Sequence, residues 1–177
     1  MSASPVLVRP GLPSDAPAIG RLHVASWRAA YPGIIDEANL AALDPDERAG
    51  VWENAMRQGP GSLPGVCLVA EREGAIVGFT FHGPHLELGP ECANLAAIYL
   101  DPVHFGSGAG RALFEAAAAA CRAEGYRQLC LTVLQDNGSA QGFYRAMGMA
   151  PDGHAETWTP RGPVRQELVV VRLRLEL

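Results

Sequence analysis

The stretch from Ala93 to Glu115, ANLAAIYLDPVHFGSGAGRALFE, constrains this chain more than any other. Leu95 to Leu100 is an apolar run short enough for a buried strand. Asp101-Pro102 ends that strand, because proline has no N–H to give a ladder. Gly106-Ser107-Gly108-Ala109-Gly110 follows, and then a helical pattern at Leu113, Phe114 and Ala117. Strand, glycine-rich loop and helix start form a device for holding an anion. Glycines let the backbone come close to a ligand, and first-turn amides with the helix dipole favour negative charge. The ligand implied is a phosphate or pyrophosphate.

Three glycine-loop patterns compete for this stretch. A P-loop needs Lys-Ser or Lys-Thr after its last glycine, and Arg111-Ala112 stands there instead. The dinucleotide pattern G-x-G-x-x-G fails as well, since its third glycine falls on Arg111 or Leu113. The third pattern fits: Phe105 to Gly110 resembles motif A of the GNAT superfamily of N-acetyltransferases, Gln/Arg-x-x-Gly-x-Gly/Ala. Gly108 and Gly110 match it, and Phe105 stands in place of the usual Gln or Arg. That departure removes a polar side chain and leaves the backbone amides in place. Taken alone, the stretch is equally readable as a plain glycine turn.

A second stretch breaks the tie. Leu129 to Met149 contains a strand followed by Asn137, Ala140, Phe143, Tyr144 and Gly148. These spacings resemble motif B of the same superfamily, Asn-x-x-Ala-x-x-Phe-Tyr leading into a helix. Two motifs in the right order identify the chain as resembling GNAT N-acetyltransferases over nearly its whole length, sharply so only in the two motifs.

The remaining chain is compatible with this. At 177 residues it suits a single domain, residues 1–177, with a sizeable core. Hydrophobic residues make up 48% and charged ones 19%, which excludes a disordered chain. No apolar run approaches the roughly 20 residues of a membrane span, and the start lacks a secretory pattern, so a cytoplasmic location is expected. A formal charge of −5 argues against nucleic acid as a partner. The resemblance implies an amine acceptor, which could be a free metabolite, an aminoglycoside-like drug or a protein amine. Trp27, Tyr31 and the loop at Pro84 suggest a partly walled pocket and so a small-molecule amine, and a homodimer is open. Cys67, Cys92, Cys121 and Cys130 show no C-x-x-C spacing and read as reduced, buried thiols. His82-Gly-Pro-His85 lacks a third neighbouring ligand, and no metal is expected.

Taken in order, the pattern predicts a strand at Val6–Arg9 and a helix capped by Ser14 and running to Ala30. A short helix follows from Glu37 to Leu43. The next begins with Asp44 as cap, Pro45 in the first turn and Glu47 completing a capping box. Strands are predicted at Val66–Glu71 and Ala75–His82, with a loop from Gly83 to Cys92. The alanine run Ala116–Ala120 suits a helix packed closely on a sheet, with Gly125 just beyond its end. Thr157–Thr159 and Glu167–Leu175 suggest a terminal antiparallel pair. The order β-α-α-α-β-β-β-α-β-α-β-β gives an α/β fold: a mixed, mostly antiparallel sheet flanked by helices. The resemblance implies the same fold.

Moving an acetyl group from a thioester to an amine requires four things. The acetyl-CoA co-substrate must be held, the carbonyl oxygen stabilised, the amine deprotonated and the leaving thiolate protonated. The resemblance assigns the pyrophosphate cradle to Gly106, Ser107, Gly108, Ala109, Gly110 and Arg111. It gives the pantetheine arm to the backbone of Ile98, Tyr99 and Leu100. Tyr144 takes the place of the tyrosine that protonates the thiolate. Asn137 either contacts the cofactor arm or caps the helix. The general base stays open. Many relatives carry Glu where this chain has Asn94, which could orient a water, or the amine could arrive neutral. His23 reads as solvated or structurally satisfied, Trp27 as core and Tyr31 as a substrate contact. No cysteine is placed by motif as an acyl carrier, so direct transfer is expected. A CoA-binding sensor without catalysis is the alternative, motivated by Phe105 and Asn94. An oxidoreductase would rest on the glycine loop alone.

Overall fold

The computed structural model describes residues 4–59 and 61–177. Its elements are β1 (Leu7–Pro10), α1 (Ala16–Ala30), α2 (Glu37–Ala41), α3 (Pro45–Met56), β2 (Val66–Arg72), β3 (Ala75–Pro84) and β4 (Cys92–Leu100). They continue with α4 (Ala109–Ala123), β5 (Gln128–Leu134), α5 (Gly138–Ala146), β6 (Ala150–Trp158) and β7 (Leu168–Glu176). The strands form one seven-stranded sheet in the order β1-β2-β3-β4-β5-β7-β6. Every pairing is antiparallel except β4 with β5. Among the described residues no helix is long and apolar enough to cross a membrane.

The strands alternate in what they bury, as period two requires. On β2, Leu68 and Ala70 join the core beneath α4, while Cys67 and Val69 join the core beneath α1 and α3. On β3 a bulge leaves Val77 as the extra residue opposite Ala70 and Glu71, so Val77 goes to the α4 side while Phe79 and Phe81 go to the other. The alanines of α4 let it lie close on the sheet: Ala117 and Ala118 are buried with Leu113, Phe114 and Cys121. A third cluster joins Val24, Ile35, Leu40 and Leu43 to Leu134 and Val170, tying the first two helices to the far half of the sheet.

Two features of β4 organise the molecule. The strand pairs with β5 only at Cys92↔Gln128, Ala93↔Leu129 and Asn94↔Cys130. Beyond Asn94 the two strands part, while β5 stays paired to β7 as far as Leu134. Just after the parting comes a β-bulge: Phe81 faces Ala97 but His82 faces Leu95, leaving Ala96 as the extra residue. The bulge inverts the alternation. Ala93 and Leu95 lie on the α4 side, yet so do Ile98 and Leu100, whereas Ala97 and Tyr99 pack with the α1/α3 cluster. The buried Thr80 hydroxyl donates to the Ala97 carbonyl at 2.7 Å and fixes the bulge.

Several sequence expectations need correction. Ser14 is not the cap of α1; it sits in a 3-10 turn, Pro13–Asp15. The Asp15 carboxylate accepts from the Leu12 amide and pairs with Arg9, so the local polar groups are used across the entry turn. Asp44 caps α3 through the Asp46 amide. Strand β6 begins at Ala150, well before the expected Thr157. Its Pro151-Asp152-Gly153 reads as a turn but forms an irregularity in pairing with β7, with Gly153 at φ +87°. Strand β3 runs on to Pro84 and β4 starts at Cys92, so the intervening loop is shorter than expected.

Candidate active site

The parting of β4 and β5 opens a cleft of about 700 Å³. One wall is β4 from Leu95 to Leu100, the other β5 from Leu131 to Leu134. Because no strand fills the gap, backbone groups on this edge of β4 are available to a ligand. Helix α5 supplies Ser139, Ala140, Phe143 and Tyr144. Helix α1 supplies Ser26, Trp27, Ala29 and Ala30, with Tyr31 and Ile35 beyond its end. Trp158 and Val170 come from β6 and β7.

At one end lies the glycine loop. Gly106 and Gly108 have φ of +73° and +87°, a region that side-chain-bearing residues rarely adopt. A Cβ at either would meet no protein atom within 4 Å, so the loop presents bare backbone to open space. Helix α4 starts here with Gly108 as its N-cap and no side chain capping it. Its first-turn amides lack intrahelical partners and carry the positive end of the dipole. The Ser107 hydroxyl is buried without a partner. Arg72 donates from Nη2 to the Ser107 carbonyl at 3.2 Å and braces the loop from β2. These residues fit a pyrophosphate. Gly110 does a different job: it is buried, and a Cβ there would press on Leu100 at 3.1 Å, so it lets α4 approach the end of β4.

Of the residues singled out by sequence, Ile98, Tyr99, Leu100, Gly106, Gly110, Asn137, Tyr144 and Tyr31 line the cleft. Ser107, Gly108, Ala109 and Arg111 belong to the loop and helix start without lining the cavity. Asn94 does not line it; it sits where β4 and β5 are still paired, opposite Gly83 and Cys130. Asn137 caps α5, accepting from the Ala140 amide at 3.1 Å, and lines the cleft as well. Trp27, read from sequence as core, is a cleft wall. Thr80, Arg72, Thr132 and Trp158 carried no sequence signal, because their roles arise only when distant strands meet.

The inner cleft is electrostatically quiet. Burial raises the Tyr144 phenol well above its ordinary value, and the neighbouring Tyr99 adds to the shift. Tyr31 is raised in the same way, by burial first and then by Tyr99 and Tyr144. Burial also raises Tyr99, against the opposing pull of Trp27, Arg48 and Tyr31. All three phenols therefore stay protonated near neutrality. His23 lies behind this wall, its ring stacked on Tyr99 at 4.7 Å. Its Nδ1 accepts from the Trp52 indole at 2.9 Å, and burial with the Arg48 charge lowers its pKa to about 3. It is neutral, structural and not part of the cleft lining. Among the described residues lining the cleft there is no Asp, Glu, His or Cys. The four cysteines are free and buried.

A splayed β4–β5 pair, a bulge beside it and a glycine loop opening a helix define a class that comparison with known proteins identifies. The model of the acetyltransferase (GNAT) family matches residues 27–149, and the chain belongs to that family. The uncharacterized N-acetyltransferase YuaI of Bacillus subtilis is 32% identical over 142 residues, covering 80% of this chain and 78% of the relative. The "Probable N-acetyltransferase Rv2775" of Mycobacterium tuberculosis is 25% identical, covering 98% and 96%. Among solved structures, the PaiA N-acetyltransferase of Thermoplasma acidophilum in complex with coenzyme A superposes with a TM-score of 0.74. It is 17% identical and the match covers 100% of both chains, which speaks to the shared fold. The protein is an enzyme of the N-acetyltransferase class.

Proposed function

We propose that the protein transfers an acetyl group from acetyl-CoA directly to the primary amine of a small molecule, with Tyr144 as the acid. The observation that carries this is Tyr144, a phenol that stays protonated at neutral pH, lining a cleft that begins at the bare-backbone glycine loop. Gly106 to Arg111 hold the pyrophosphate through backbone amides, with Arg72 bracing the loop. The unpaired edge of β4 at Ile98, Tyr99 and Leu100 holds the pantetheine arm and offers an N–H to the thioester oxygen. Acetyl-CoA supplies the activated acetyl group.

The proton balance follows from the residues present. As the amine nitrogen bonds to the acetyl carbon and the carbon–sulfur bond breaks, the amine loses one proton and the sulfur gains one. Tyr144 gives its proton to the sulfur, the proton leaving the nitrogen passes to solvent water, and solvent reprotonates Tyr144. Burial weakens a phenol as an acid, but the same burial strengthens a thiolate as a base; the buried Cys67 and Cys121 thiols of this chain are pushed up to about 12. The transfer therefore stays near balance. With no carboxylate or imidazole among the described residues that line the cleft, the amine enters as its neutral form. With no cysteine among those described residues either, the acetyl group passes directly.

The test is thiol release from acetyl-CoA with a panel of primary amines, paired with mass spectrometry of the product. Release that requires an amine, with a product heavier by one acetyl group, is expected. Tight acetyl-CoA binding with no release for any amine would leave a CoA sensor.

A further inference from the structure

The far end of the cleft is walled by aromatic rings and carries no formal charge. Trp27 is its hub, lying edge-on to Tyr31 at 5.1 Å, to Tyr99 at 6.2 Å and to Trp158 at 6.2 Å between centroids. All four line the cavity. No Asp, Glu, Lys, Arg or His is among the described residues that do so. Asp36 and Glu37 belong instead to a second depression, which shares only Ile35 with the cleft.

These walls discriminate by solvation. A polycation, or a backbone with several amide groups, gives up strong hydration on entering and finds no carboxylate to replace it. A flat apolar body gains by leaving water and by edge-to-face contact with rings already set at such angles. An amine that enters as its neutral form brings no charge that the rings would have to pair. We infer that the acceptor is a primary amine carried on an aromatic or similarly flat apolar body, selected by the box of Trp27, Tyr31, Tyr99 and Trp158. The inference rests on the acetyl-transfer reading for its chemical step, and on the walls alone for binding.

The experiment separates these two layers. Binding of 2-phenylethylamine, spermidine and a tetrapeptide with N-terminal alanine is measured by calorimetry on the CoA-loaded protein. Turnover of the same three is followed by thiol release from acetyl-CoA. The expected result is a kcat/KM for 2-phenylethylamine at least 100-fold above the other two. Trp158→Leu should cut that advantage at least tenfold through KM, Trp158→Phe should largely restore it, and the Kd for acetyl-CoA should stay within about twofold. Spermidine or the peptide equalling 2-phenylethylamine would overturn the inference, as would an advantage that Trp158→Leu leaves intact. Should 2-phenylethylamine alone bind while no amine releases thiol, the aromatic acceptor site stands and acetyl transfer falls.

Discussion

His23 shows how far a single residue's meaning depends on partners remote in sequence. Beside Trp27 on one helix it is open to several readings. In the fold, the Trp52 N–H reaches it from 29 residues away, and Tyr99 stacks on it from the sheet. Its folded pKa of about 3 lies below the ordinary 6.5. The unfolded chain therefore binds a proton between these values that the folded chain does not, and stability is full above about pH 6.5 and falls as pH drops toward 3. The expected contribution is a loss of about 2 kcal/mol between pH 7 and pH 5. His23→Gln keeps an acceptor for Trp52 and should flatten the acid limb by about that amount in urea unfolding. An unchanged pH slope would show that His23 is protonated in the folded state. That Asn137 and Tyr144 share one helix, by contrast, could be read from sequence, because their spacing is local to α5 and its cap.

Among the elements, the loop opening α4 was visible in the sequence because glycines at set spacing have a direct backbone meaning. The bulge at Ala96 was not. A run such as Leu95 to Leu100 reads the same whether or not one residue is extra, and the inversion that turns Tyr99 toward α1 appears only against β3. The early start of β6 was hidden for a related reason: Pro151-Asp152-Gly153 carries turn chemistry, and its pairing is supplied by β7. The loop gives a sharp contrast in mutants. Gly108→Val forces a branched side chain to φ +87° and fills the open space before the amides. Losing several amide–phosphate bonds, each worth roughly 1.5–3 kcal/mol, should weaken acetyl-CoA binding at least 100-fold. Phe105 is half exposed, and Phe105→Gln should shift affinity less than about threefold. Calorimetry on variants shown by circular dichroism to be folded checks both. Normal binding by Gly108→Val with a strong change in Phe105→Gln would reassign the cradle to side chains.

At the scale of the whole molecule, the sheet makes the site by failing to close. Element order and sheet type could be read from pattern, but the parting of β4 and β5 after Asn94 could not, since both strands remain apolar well beyond it. The resulting cleft holds phenols and indoles but, among the described residues, no carboxylate or imidazole. The pH dependence should therefore belong to the substrate: kcat/KM should rise with pH along the amine's own ionisation and then level off. It should not fall before about pH 10, because burial raises Tyr144 above the ordinary phenol value. Two amines differing by two units of basicity should give midpoints two units apart. A shared midpoint near neutrality would reveal an enzyme base.

The most direct measurement is single-turnover acetyl transfer by Tyr144→Phe, with acetyl-CoA affinity determined on the same preparation. The ring and its packing on Phe143, at 5.4 Å between centroids, are kept, and only the phenol hydroxyl that carries the proton is removed. The expected result is a rate lower by about 10²- to 10⁴-fold, the usual worth of a positioned acid, with acetyl-CoA binding within about threefold of the parent. A Tyr144→Phe enzyme that transfers acetyl at the parental rate would contradict the account.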